Sequence, residues 1–161
     1  MLNERLSRAQ VISRYEGSPS IVDFGAVRGT ATSLIRQNDL AFAKAEAATT
    51  GGGTIVFPRG EYPNTYSFTP SSGATYAGVG SGLVRLLYYG TGTQWDLPAT
   101  SLAGDVVIRD LTVRSYGSAY QGAIREGRTT QPFDDALMRQ SWLLENLVLQ
   151  GMTLPMPAGS I

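Results

Sequence analysis

The chain of 161 residues contains neither cysteine nor histidine. Without thiols and imidazoles, the sequence excludes disulfide bonds, cysteine nucleophiles, histidine acid–base catalysis and zinc sites built from cysteine and histidine. We therefore expect no metal and no cofactor.

Charge of one sign is also lacking, because 13 basic side chains balance 13 acidic ones. No broad positive surface is expected, so on electrostatic grounds we expect neither nucleic acid nor an anionic membrane as a partner. No segment approaches the ~18 apolar residues of a membrane span. The first residues, MLNERLSRAQ, have no apolar core of the kind a signal peptide requires. We expect a protein made in a cytoplasm, without a signal peptide and without a membrane partner.

Glycine is abundant, with 19 Gly and 8 Pro spread along the chain. This distribution favours many short strands joined by turns. Apolar runs predict a first strand at 21–26 and later strands within 54–57, 75–77, 84–89, 106–114 and 142–150.

One segment has the composition of a helix. Residues 38–48 are rich in alanine, Asn38 is a plausible N-cap, and Thr49 to Gly53 is a stop signal. Ala41, Ala45 and Ala48 form a face of small side chains that can lie close to a flat surface.

Two segments repeat each other without gaps at an offset of 36 residues. VVIRDLTV at 106–113 aligns with WLLENLVL at 142–149. A fixed repeat of this length is typical of solenoids, in which each coil packs on the next. Stacking in this register places Asp110 over Asn146 at a corner and Arg109 over Glu145 as an opposite-charge pair. The predicted stacked core is Val106, Ile108, Leu111, Val113, Trp142, Leu144, Leu147 and Leu149.

The first 20 residues differ from the rest. Leu2, Leu6 and Ile12 recur at roughly helical spacing, and the run ends at Gly17-Ser18-Pro19. A short helix needs a surface to lie on. Two interpretations remain open, a helix packed on its own domain and an arm that docks on a partner.

Three strings resemble the N-terminal part of the pectate-lyase-like, or phage tailspike, β-helix superfamily. They are VDFGA from Val22, GGGTIVFPRGEY from Gly51 and SGATYAGVGSG from Ser72, with the predicted helix after the first. The resemblance implies a helix that caps a short right-handed parallel β-helix. It is specific for fold and not for function, since such folds carry lyases, hydrolases, epimerases and adhesins.

The chain departs from that pattern in one place. The family usually carries an acid-rich segment, DG-x-x-DDT, before the helix, whereas residues 27–38 contain no acid here. Because the family's segment is mostly structural, we expect the fold to be retained in a divergent member.

Candidate site residues fall in 116–139, between the two repeated segments. Asp134 and Asp135 are the only adjacent acids, and glycosidases need two carboxylates. Neighbouring side chains tend to point apart, so these are weak catalytic candidates. A strand is expected near 123–124, and the remainder is long enough for a functional loop. Its aromatic and arginine side chains suit either sugar rings or a subunit interface, and we prefer the subunit interface. These residues are Tyr116, Tyr120, Arg125, Arg128 and Phe133.

The sequence therefore predicts an all-β chain with an arm at 1–20, a β-helix domain at 21–150 and a tail at 151–161. Among the functions that this fold carries, our preferred interpretation is a structural subunit of a phage tail fibre or tailspike, located in the virion. We expect a homotrimer whose arm, through Leu2, Leu6 and Ile12, attaches to tail or baseplate proteins and so positions a contact with host surface polysaccharide. The alternative is a depolymerase of capsule or lipopolysaccharide, acting as a lyase or glycoside hydrolase.

Overall fold

A computed structural model describes residues 17–97, 106–116, 124–126 and 142–151. These residues are mostly strands, with one α-helix. None of the helices in these ranges is long and apolar enough to span a membrane. The elements are 3₁₀ helices at Ile21–Phe24 and Thr32–Leu34, α1 (Ile35–Ala48), β1 (Gly53–Phe57), β2 (Gly60–Asn64), β3 (Ala74–Gly78), β4 (Val84–Tyr88), β5 (Trp95–Leu97), β6 (Val106–Arg109), β7 (Thr112–Ser115), β8 (Ile124–Glu126), β9 (Trp142–Glu145) and β10 (Val148–Gln150).

The strands form three sheets in which every described pairing is parallel. Sheet A has the order β1-β3-β6-β9, sheet B the order β2-β4-β7-β10, and sheet C contains β5 and β8. Strands that follow each other in sequence therefore lie in different sheets, and each pairs with a strand from the next layer of the chain. Parallel pairing requires such crossover connections.

The last two layers have the register that the 36-residue repeat predicts. Ile108 pairs with Leu144 in sheet A, and Val113 pairs with Leu149 in sheet B. Earlier layers have shorter spacings, since Arg85 of β4 pairs with Thr112 of β7. The spacing of 36 residues between paired strands therefore holds only for the two layers whose sequences align.

The predicted corner is present between sheets A and B. Asp110 and Asn146 have φ of 58° and 48°, the left-handed region that Asn and Asp tolerate best among non-glycine residues. Asn146 Nδ2 donates a hydrogen bond to Asp110 Oδ1 at 2.9 Å. Beside them, Arg109 Nη1 lies 3.8 Å from Glu145 Oε2. The two layers are thus joined by side chains as well as by backbone.

The core begins under α1 as a cluster of aromatic rings. Phe68 stacks on Phe42 of the helix at 5.4 Å between centroids and on Trp95 of β5 at 5.8 Å. Tyr76 meets Phe68 edge-on at 5.0 Å. All four side chains are buried. Farther along, aliphatic side chains take over, among them Leu86, Val106, Ile108, Leu111 and Val113.

The helix is longer than predicted and differs at its start. It begins at Ile35 rather than near 38, and no side chain caps its N-terminus. Asn38 is not the N-cap: it is buried, accepts from the Val27 N–H at 2.7 Å and donates to the Pro63 carbonyl at 3.0 Å. It therefore attaches the helix to β2. Ala48, predicted on the packed face, is exposed.

Two strand predictions also change. The run 21–26, predicted as a strand, contains a 3₁₀ helix at Ile21–Phe24, because Ser20 and Asp23 form a reciprocal capping box. No strand was predicted between 57 and 75, but β2 begins at Gly60, separated from the end of β1 by only two residues. Pro63 lies within that strand, which is possible because β2 is the edge strand of sheet B.

The side chains of the last layer are more exposed than the predicted stacked core implies. Leu144 occupies its predicted ladder position, but its side chain is 48 % exposed because no strand lies beyond β9 among the described residues. Leu147 and Leu149 are partly buried against the core. Trp142 is placed in β9, and its side chain lies outside the described structure.

Candidate functional site

Most of the residues singled out in the sequence between 116 and 139 lie outside the described structure. Tyr116 is described in full. Arg125 lies in β8, which pairs with β5, but its side chain is not described. The strand predicted near 123–124 is β8. The other residues outside the described ranges are Leu2, Leu6, Ile12, Tyr120, Arg128, Phe133, Asp134 and Asp135.

Tyr116 lies at the end of β7, on the outer surface of sheet B. Side chains alternate across a strand, so Val84, Leu86 and Tyr88 of β4 join the core while Arg85 and the residue after Tyr88 face out. On β7 the same alternation turns Arg114 and Tyr116 outward. The residues that directly follow β4 and β7, Tyr89 and Tyr116, therefore both face outward at the same end of sheet B.

Tyr89 and Tyr116 stack on each other across two layers. Their ring centroids are 4.9 Å apart with an angle of 10° between the planes, close to the spacing of neighbouring strands. The ladder continues to both residues, because the Tyr89 N–H donates to the Asn64 carbonyl and the Tyr116 N–H to the Tyr88 carbonyl, each at 2.8 Å. The backbone thereby fixes the stack, while Tyr116 stays 46 % exposed.

Arg114 completes the group, which we call the Tyr-Arg patch (Tyr89, Tyr116 and Arg114). The Arg114 Cζ lies 5.0 Å from the centroid of the Tyr116 ring, within the range of a cation–π contact. Within the described ranges no carboxylate forms a salt bridge with Arg114. The neighbouring Arg85, by contrast, pairs with Glu61 at 3.2 Å.

The chemistry of the patch is that of recognition. It combines two phenol hydroxyls, which donate and accept hydrogen bonds, with a guanidinium fork that only donates. The planar groups are held by contact with one another, so binding would immobilise few additional rotamers.

A second polar cluster lies under the helix around Glu46. Its Oε2 accepts from the Tyr66 hydroxyl at 2.6 Å, and its Oε1 accepts from the Thr69 N–H at 2.7 Å and the Tyr76 hydroxyl at 3.1 Å. Burial raises the pKa of the Glu46 carboxyl above its ordinary value of 4.5, and these three hydrogen bonds offset part of the rise. Burial likewise raises the pKa of Tyr76, with the Glu46 charge adding to the effect.

Other described carboxylates are also engaged in contacts within the fold. In the ranges that the structure describes, no three Asp or Glu residues come together as a metal site would require. Each carboxylate whose contact is known holds a loop, a corner or a strand pair. These pairs are Asp23 with Ser20, Asp39 with Thr65, Glu61 with Arg85, Asp110 with Asn146 and Glu145 with Arg109.

The sequence indicated Tyr116 but missed its partners. Tyr89 follows β4, whose offset to β7 differs from the 36-residue repeat, so no ungapped alignment pairs the two tyrosines. Glu46 was missed because its contacts come from Tyr66, Thr69 and Tyr76, which lie 20 to 30 residues further along the chain. A search for tyrosines that directly follow apolar strand runs would have found Tyr89.

No protein-family model matches this chain, and no curated protein sequence does. Among solved structures it is similar to the A-module of a mannuronan C-5 epimerase from Azotobacter vinelandii, with a TM-score of 0.59 and 22 % sequence identity over 82 % of this chain. The chain spans 37 % of the length of that module. The likeness supports a β-helix-like fold.

Proposed function

We propose that this chain is a structural and adhesive subunit of a phage tail fibre or tailspike, and that its Tyr-Arg patch contacts a glycan of the host surface. The observation that carries the proposal is the pair of stacked tyrosines on the outside of a parallel sheet, beside an arginine that forms no salt bridge with a described carboxylate. Sugar recognition needs aromatic surface and hydrogen-bond donors held in fixed positions, and the patch offers both.

In this proposal the three sheets wind into a right-handed parallel β-helix with α1 as its cap. The fully buried Phe42 on the inner face of the helix and the parallel register of all three sheets support that arrangement. Residues 1–20 would attach the subunit to the tail or baseplate. Three chains would assemble side by side in the virion.

The carboxylates support an adhesive role over a catalytic one. In the described part of the chain, Glu46, Glu61, Asp110 and Glu145 each bind a partner within the fold. A glycoside hydrolase needs two carboxylates facing one substrate. A carboxylate engaged in holding a corner or a strand pair is poorly placed for that task.

A second candidate is a polysaccharide-modifying enzyme, whether lyase, hydrolase or epimerase. The likeness to an epimerase module favours it. Asp134 and Asp135 are the acids that would then carry the reaction. Incubation with host capsule, followed by assays for new reducing ends, unsaturated uronates and altered sugar stereochemistry, tests this candidate. Product formation that Asp134→Asn with Asp135→Asn abolishes would replace the adhesive proposal.

The adhesive proposal is tested by binding and by mass. We expect the full chain to bind purified host surface polysaccharide without cleaving it, and Tyr116→Ala to abolish that binding with no change in thermal unfolding. We expect light scattering to give the mass of three chains. A monomer that binds no host polysaccharide would contradict the proposal.

A further inference from the structure

We infer that the Tyr-Arg patch recognises an acidic glycan, with a sugar carboxylate bound by Arg114. This inference rests on the proposed function and adds the chemical class of the ligand. The starting observation is the difference between the two arginines on the outer face of sheet B.

Arg85 is already neutralised. Its guanidinium pairs with Glu61, which lies directly opposite in the register of β2 and β4. Arg114 occupies the next row of the same face, opposite Leu87 on one side and Gln150 on the other. Neither neighbour carries a charge. The face therefore presents one positive charge that has no described carboxylate to balance it.

The orientation of Arg114 is fixed by the ring of Tyr116, which lies 5.0 Å from the guanidinium carbon. That ring is in turn fixed by Tyr89 at 4.9 Å. An arginine that stacks on an aromatic ring keeps its N–H donors free for bidentate contact with a carboxylate. Because the contact with Tyr116 restricts the side chain, binding forfeits less rotamer entropy than it would for a surface arginine without such a contact.

The ligand chemistry follows from the guanidinium, which balances a single negative charge and matches a planar carboxylate through two parallel N–H donors. A phosphate monoester, with nearly two negative charges, would be only partly balanced. The tyrosine hydroxyls add donors and acceptors for sugar hydroxyls beside the bound carboxylate. A glycan with carboxylate-bearing sugars therefore matches the patch.

A protein interface is the competing occupant, since tyrosine and arginine are enriched in both kinds of contact. The centre of a protein interface is depleted in charged residues. Here Glu61, Arg85 and Arg114 share one face with Tyr116, and all three charged side chains are at least partly exposed. This surface fits a hydrated, polar ligand better than a dry interface.

The test uses the full chain and two probes that differ only in the carboxylate. A β-1,4-linked mannuronate hexasaccharide is compared with the neutral β-1,4-linked mannose hexasaccharide by isothermal titration at low salt. We expect the acidic probe to bind about tenfold more tightly, because a charge-assisted bidentate contact exceeds a neutral one by that order. Raising the salt concentration should reduce the preference.

Variants identify the residues responsible. Arg114→Gln should make the two probes bind equally, and Tyr116→Ala should abolish binding of both. Arg85→Gln is the matched control, because Arg85 lies on the same face but is paired with Glu61, and it should leave the preference intact.

The outcomes separate this inference from the proposed function. If host polysaccharide binds and Tyr116→Ala abolishes that binding, but the acidic probe shows no preference or Arg114→Gln leaves it intact, the inference fails and the adhesive function stands. If Tyr116→Ala instead lowers the mass by light scattering and neither probe binds, the patch is a subunit interface and both are overturned.

Discussion

At the scale of single residues, the tightest point of the fold is the contact between Gly78 and the corner at Asp110. Gly78 ends β3, and a Cβ at this position would collide with the Asp110 carbonyl oxygen. That carbonyl also accepts the Gly80 N–H at 3.0 Å. The layers can approach this closely only because one residue has no side chain.

We expect Gly78→Ala to lower the free energy of unfolding by about 3 kcal/mol, because backbone atoms cannot move aside as a flexible side chain can. Gly82→Ala is the control: its added Cβ would meet nothing within 4 Å. Urea unfolding followed by circular dichroism measures both. Equal losses in the two variants would show that the close approach is not what matters.

Residue-level prediction succeeded where the sequence repeats and failed elsewhere. The positions of Asp110 and Asn146 were predictable, because two aligned copies show which polar residues share a corner. The Tyr89–Tyr116 stack was not, because the layers that contain it have unequal lengths. The role of Asn38 was predicted wrongly. An asparagine before an alanine-rich run has the sequence pattern of an N-cap, and its contact with Pro63 in β2 cannot be inferred from that pattern.

At the scale of elements, α1 is bound to the first layers by buried contacts along its length. Asn38, Phe42 and Glu46 lie one turn apart on its inner face, and they contact β2, the aromatic core and Tyr76 of β3 in turn. A polar contact therefore lies on each side of the apolar one. This arrangement fixes both the position and the rotation of the helix.

The Glu46 contact makes stability depend on pH. Because the pKa of Glu46 is raised in the folded state, the folded protein binds this proton more tightly than the unfolded chain does. Its contribution to the free energy of unfolding is therefore fully present below the unfolded-state pKa and is lost as the pH rises through the folded-state pKa.

We expect Glu46→Gln to flatten the stability profile in this range. Tyr66→Phe should extend the decline to higher pH, since it removes a hydrogen bond that lowers the Glu46 pKa. Chemical denaturation at a series of pH values gives the curves. A Glu46→Gln profile parallel to that of the wild type would contradict the assignment.

Phe68 joins the helix to the third sheet. It is buried between Phe42 and Trp95, and it forms an isolated parallel bridge with Trp95, the first residue of β5. We expect Phe68→Ala to cost about 3–5 kcal/mol, because it opens a cavity among rings that cannot collapse together. Leu40→Ala on the exposed side of α1 should cost little. Thermal unfolding of the two variants provides the measurement, and similar losses would contradict this role for Phe68.

The elements that could be predicted were the longer ones with a distinctive composition. The helix and the longer strands could be located because alanine-rich and apolar runs are distinct. β2 was missed because Gly60 and Pro63 are breakers in most contexts, and only its edge position makes them tolerable. The 3₁₀ helix at Ile21–Phe24 was predicted as a strand because its apolar residues outweighed the capping pair around them.

At the scale of the whole molecule, the two ends of the stack of layers differ. The helix covers the first layers, whereas β9 and β10 carry half-exposed side chains, with Leu143 at 49 % and Val148 at 40 %. Stability in such stacked structures is nearly a sum over neighbouring layers. The layers with neighbours on both sides should therefore be the most stable.

We expect amide hydrogen exchange to follow that order. Protection should be highest in β3, β4, β6 and β7, and lowest in β9 and β10, which have a described neighbour on one side only. Exchange monitored by mass spectrometry on peptic fragments resolves these strands. Uniform protection across the four layers would indicate that the fold opens as one cooperative unit, or that another chain covers the last layer.

The helix-covered end has a further consequence for engineering. With that end blocked, strands can be added only beyond β9 and β10, and each new layer would extend the molecule by about 4.8 Å. A duplicated copy of residues 106–141 inserted after Ser141 would present Val106 and Ile108 to the same ladder positions a second time. The tyrosine stack would keep its place relative to the helix. The length of the molecule could therefore be changed without moving its contact surface.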